Sequence, residues 1–112
     1  MSALDATFTA LADPTRRRVV EALRGGPRRA GELAESTQMT APALSRHLRV
    51  LRTQGLVTEE RIEDDARVRV YRLRRERFAE LQAWLTEIEV FWTVQLGAFK
   101  AHAERRSRTK RA

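Results

Sequence analysis

The sequence contains no cysteine, which removes disulfides, thiolate metal sites and cysteine nucleophiles together. Glycine and proline are sparse, five and three in 112 residues, which with 42% hydrophobic residues fits a folded, helix-rich protein rather than a disordered chain. Histidine occurs only at His47 and His102, which leaves little for an imidazole-based metal centre or general base. No apolar run approaches the roughly 20 residues of a membrane-spanning helix, and no signal-peptide pattern begins the chain. These absences predict a cytoplasmic protein, away from membranes. Acidic residues are outnumbered, 15 against 22 Lys and Arg, for a net charge of +7. A polyanion is the natural partner of such a surface.

What remains is enough for one domain with a single core. Leu4, Phe8 and Leu11 recur at helical spacing and predict a short helix ending near Ala12. Asp13-Pro14 opens a second, with Asp as cap and Pro in the first turn, and Gly25-Gly26-Pro27 stops it. Leu33 and Ala34 mark a helix of about two turns between Ala30 and Thr37. Thr40 caps a fourth, residues 41–54, and Gly55 ends it. The segments "LVTEERIE" and "RVRVYRL", separated by "DDA", alternate β-branched and polar residues and predict a β-hairpin. Helical spacing returns from Arg75, with Phe78, Leu81, Leu85, Ile88 and Trp92 on one stripe, widened by Trp84, Phe91 and Val94. The sequence therefore divides into residues 1–74, a helix over 75–103 belonging to the same domain, and a basic tail over 104–112 that lacks periodicity and is expected to be disordered.

The fourth helix has two unlike faces. Leu44, Leu48 and Leu51 fall on one side; Pro42, Ser45, Arg46, Arg49 and Thr53 fall on the other. A short helix immediately before it, joined by a tight connection, makes a helix-turn-helix whose second member enters the major groove of DNA. The outward residue types suit that role. Arg presents a planar fork of donors to guanine edges or phosphates, Ser bonds to either, Pro42 and Ala43 permit close approach, and the capped start at Thr40 offers free N–H groups to a phosphate. His47 borders the apolar face and is placed to help seat the helix near DNA. A merely solvated Arg face would explain none of the short preceding helix, the following hairpin and the positive charge.

"LADPTRRRVVEAL", "GELAEST", "APALSRHLRVLRTQGLV" and a hairpin closing on "VYRL", in this order over about Leu4 to Leu73, resemble the ArsR-type winged helix-turn-helix transcriptional regulators. The resemblance implies a mainly α (α+β) fold with a two-stranded wing and a long C-terminal dimerisation helix. It also implies a bacterial or archaeal homodimer, usually a repressor, with residues 41–54 as recognition helix. The wing would span Arg61 to Arg69 and bring Arg61, Arg67 and Arg69 to double-stranded DNA. Three departures stand out. Gln38 occupies a turn where the family often has Gly, the wing tip is Asp64-Asp65 rather than Gly and basic residues, and the Cys of the metal-sensing members is missing from "AGELAE".

Neither catalysis nor a cofactor is expected. Ser45 and His47 stand two apart on one helix and point in different directions, so they form no nucleophile–base pair. His102 with Glu104, and Glu87 with Glu89, do not have the spacing of a metal site. The C-terminal segment carries five of the seven aromatics, on a helix roughly 40 Å long at about 1.5 Å per residue. A second copy of the chain is the expected cover, through Trp84, Ile88, Phe91 and Trp92 with Leu4 and Phe8. An aromatic-lined small-molecule site is another use of such a stripe. The leading reading is a sequence-specific regulator on a near-palindromic operator. A sequence-independent architectural nucleic-acid binder and a protein-interaction module are its rivals.

Overall fold

The computed structural model describes residues 2–62 and 65–111, without the side chains of residues 65, 66 and 109–111. The elements in chain order are α1 (Ala3–Leu11), α2 (Pro14–Leu23), β1 (Arg28–Arg29), α3 (Ala30–Thr37), α4 (Ala41–Thr53), β2 (Val57–Ile62), β3 (Asp65–Leu73) and α5 (Arg75–Arg111). The chain divides into two compact units, Met1–Glu80 and Leu81–Ala112.

Capping sets the helix boundaries in the first unit. Ser2 and Asp5 exchange side-chain-to-backbone bonds in a capping box at the start of α1. Asp13 Oδ1 accepts from the N–H groups of Thr15 and Arg16 at 2.7 and 3.2 Å, and Pro14 stands in the first turn of α2, where its missing N–H has no role. These contacts, led by the Arg16 N–H, hold the Asp13 carboxylate below its ordinary pKa against an opposing desolvation, with smaller contributions from the Arg16 guanidinium and His47. The arginines of "PTRRR" also close the preceding helix. Arg16 donates to the carbonyls of Ala10 and Thr9, and Arg17 to that of Leu11, which satisfies carbonyls that the end of α1 leaves open.

The core joins every element of this unit except the exposed β1. Ala10, Val19, Leu23, Leu33, Leu44, Leu48, Leu51, Leu56, Val57 and Tyr71 are buried together, with Leu73 and Phe78 packed against them. Gly55 leaves α4 at φ +83°, and a Cβ there would stand 2.9 Å from Arg77 Nε. Arg77 also donates to the Gln54 carbonyl, so the first turns of α5 are anchored under the end of α4.

The predicted hairpin is present as β2 and β3, paired antiparallel from Val57↔Leu73 to Arg61↔Arg69, with a register shift between Arg61 and Ile62. The sheet has a third member that the sequence pattern did not announce. Arg28 and Arg29 pair with Tyr71 and Val70, giving the order β1-β3-β2. Two residues carry no alternation to read; only the free edge of β3 makes them a strand.

The tail expected to be disordered is corrected: α5 continues as helix through Arg111. "ERRSRTKR" contains neither Gly nor Pro and is mostly good helix formers. Extending an existing helix adds one bond per residue fixed, so propagation does not need an apolar stripe. In the second unit the apolar side chains are uncovered: Phe91, Trp92, Val94, Leu96 and Phe99 are 57–71% exposed. Phe91 and Trp92 meet edge to face at 6.2 Å.

Candidate nucleic-acid interface

The turn between α3 and α4 positions the interface. Gln38 adopts φ 56°, ψ 39°, the left-handed conformation at a helix C-terminus, and its N–H bonds back to Glu35 O at 3.2 Å while the Met39 N–H reaches Ala34 O at 3.0 Å. Thr40 is extended, and its Oγ1 accepts from the Ala43 N–H at 3.4 Å, as its cap position predicts. Pro42 follows in the first turn.

From this start the helical phase distributes the side chains as their chemistry requires. Leu44, Leu48 and Leu51 are buried, whereas Thr40, Pro42, Ser45, Arg46 and Arg49 are exposed. Ala43 and His47 are half-buried. His47 lies on the side of α4 near the Asp13 cap of α2, where its charge contributes to holding that carboxylate ionised.

Most arginines of the winged unit are already engaged. Besides Arg16, Arg17 and Arg77, Arg72 meets Glu60 through Nε and Nη2 at 3.1 and 3.2 Å. Arg52 of α4 and Arg69 of β3 both meet Glu59 of β2, Arg69 Nε lying 3.3 Å from Oε1. The side chains of Arg46, Arg49 and Arg61, by contrast, make no hydrogen bond or ion pair among the described residues. Two of these open cations are the ones the helical phase points outward on α4, and the third stands on the wing. Arg67 is exposed on β3. Asp64 lies outside the described residues, as does the Asp65 side chain.

Between α4 and the wing lies a concave groove of about 230 Å³, lined by Ala41, Leu44, Ser45 and Leu48 of α4, Ala30, Gly31 and Ala34 of α3, and Arg69 and Tyr71 of β3. Ser45 and Arg69, assigned to different elements from the sequence, thus share one surface. Of the proposed self-association residues, Leu4 and Trp84 are half-buried and Ile88 and Phe8 are 36% and 40% exposed.

Glu59 and Arg52 are not singled out by the sequence pattern. Their signal is weak: "TEER" offers two adjacent carboxylates on opposite sheet faces, and only the pleat decides which of them turns toward α4. Among the described residues no three His, Asp or Glu side chains gather as metal ligands, and no helix is long and apolar enough to cross a membrane.

A short helix, a left-handed turn, a second helix with an open Arg/Ser face and a following antiparallel hairpin define a winged helix-turn-helix DNA-binding protein. Similarity to known proteins gives the family. The family model described as "Bacterial regulatory protein, arsR family" matches residues 13–59. The chain is 40% identical over 95 residues to the HTH-type transcriptional regulator Rv2034 of Mycobacterium tuberculosis, covering 85% of this chain and 83% of the relative. The crystal structure of an ArsR family transcriptional regulator, RHA00566, superposes with a TM-score of 0.72 at 35% identity, over 82% of this chain and 98% of that one. A solution structure from Mycobacterium bovis, described as a homodimeric winged helix-turn-helix DNA-binding domain of a possible ArsR-family regulator, superposes at 0.62 and 26% identity, over 78% of each chain. This chain belongs to the ArsR family of transcriptional regulators and is not an enzyme.

Proposed function

We propose that the protein is a homodimeric repressor that recognises a near-palindromic operator through two copies of α4. The observation that carries this reading is the contrast among arginines: Arg46 and Arg49 stand open on α4 while Arg52, Arg69, Arg72 and Arg77 are engaged within the fold. Arg46, near the start of α4, is assigned to a base edge, with Ser45 beside it; Thr40, Pro42, Ala43 and the helix start sit against the backbone. Arg49, one turn along, and Arg61 of the wing are assigned to phosphates. Dimerisation is supported by the uncovered apolar side chains of α5 and by the homodimeric description of the M. bovis relative. A bound dimer would exclude polymerase from overlapping promoter DNA. Selection of bound fragments from the source genome tests the proposal: a shared inverted repeat upstream of regulated genes is expected. Fragments with no common motif would refute it in favour of an architectural binder.

A further inference from the structure

Glu59 stands between two arginines, one of which lines the groove beside α4. Its side chain is only 11% exposed, whereas those of Arg52 and Arg69 are 41% and 49% exposed. One carboxylate oxygen, Oε2, meets Arg52 Nη1 of α4, and the other, Oε1, lies 3.3 Å from Arg69 Nε of β3. The pairing ladder sharpens the need for that charge. Arg69 is directly opposite Arg61, a like-charge pair that an antiparallel ladder disfavours, and Glu59 is the diagonal neighbour of Arg69 on the same face. Arg69 also lines the groove beside Ser45, so its charge borders the surface assigned to DNA.

We propose that Glu59 is a specificity-determining residue: its carboxylate withholds Arg69 from DNA phosphates, with Arg52 seating the carboxylate, and so limits sequence-independent binding. This rests on the DNA-binding assignment. A phosphate contact made by any arginine near the groove strengthens binding to every sequence equally and contributes nothing to choice among sequences. A fold with net charge +7 has such adhesion in excess. A largely buried carboxylate between two arginines removes one such contact while the open Arg46 is left to read a base edge.

Binding of the full chain to a random-sequence duplex, titrated at several salt concentrations, tests the proposal. Glu59→Gln keeps the side-chain shape and removes the charge. It should bind the random duplex several-fold tighter, with a salt dependence steeper by about one phosphate contact per protomer. Adding Arg69→Gln to that variant should return the slope to the wild-type value. An unchanged or shallower slope, or a steepening that Arg69→Gln does not reverse, overturns the proposal. Should Glu59→Gln lose native helix content, Arg69→Gln alone decides instead: a withheld arginine makes no phosphate contact, so the slope should stay at the wild-type value, and a fall of about one contact overturns the withholding role. Failure of the wild-type chain to bind any duplex would refute the DNA-binding assignment itself, a result distinct from all of these.

Discussion

Gln38 carries a left-handed backbone that costs a residue with a Cβ on the order of 1 kcal/mol. Its side chain is exposed, so nothing in the packing repays that cost. Gln38→Gly should therefore raise the unfolding free energy by about 0.5–1 kcal/mol in urea titrations, with DNA affinity unchanged. A loss of stability would mean that the side chain supports the turn. Arg46 and Arg49 are both exposed and unengaged, but they differ in depth along α4. Arg46→Ala should cost operator affinity and relax preference at one position of each half-site, since a bidentate Arg–guanine pair discriminates by about 1–3 kcal/mol. Arg49→Ala should weaken binding to all sequences and lower the salt slope by about one per site. Fluorescence titrations with operator, single-base variants and random duplex separate the two. Equal, sequence-independent losses for both would show that Arg46 also meets only phosphate.

Among the elements, those whose burial is one-sided are legible in the residue pattern. Leu44, Leu48 and Leu51 share a face because their spacing matches the helical period, and Thr40-Ala41-Pro42 marks where that period begins. Likewise "RVRVYRL" alternates because β3 has one packed face, on which Tyr71 is buried. β1 is not legible, since its existence depends on a distant partner rather than on its own two residues. The end of α5 departs from expectation because absence of an apolar stripe signals absence of packing, not absence of helix. Its last turns hold Arg105, Arg106, Arg108, Lys110 and Arg111 on a helical backbone. Deleting residues 105–112 should reduce affinity for operator and random duplex by the same factor, because these cations act through the general field toward phosphates. A loss confined to the operator, measured in parallel titrations, would assign the segment to base recognition.

At the scale of the molecule, α5 poses the largest unsatisfied demand. Val90, Phe91, Trp92, Val94, Leu96 and Phe99 are each more than half exposed. A chain with that much open apolar surface associates or aggregates. Sedimentation should give a dimer at micromolar concentration, and Phe91→Glu with Trp92→Glu should yield a monomer of native helix content. That monomer should lose most operator affinity, because two half-sites one helical turn apart require two linked recognition helices. A double variant that remains dimeric would move the interface elsewhere on the chain.

The sequence by itself determined the helix boundaries of residues 3–53, the hairpin, the two faces of α4 and the membership of a winged helix-turn-helix family. The elements and faces follow from local chemistry, capping groups next to the backbone they satisfy and apolar residues repeating at the period of the element they occupy, while the family shows in the order of motifs that resemble its members. Tertiary structure alone decided which arginines are available. Arg46 and Arg52 are the same residue type on one helix, yet Arg52 meets Glu59 and Arg46 meets nothing among the described residues. That difference arises where β2 folds back against α4, and a contact between segments distant along the chain leaves no period in either one.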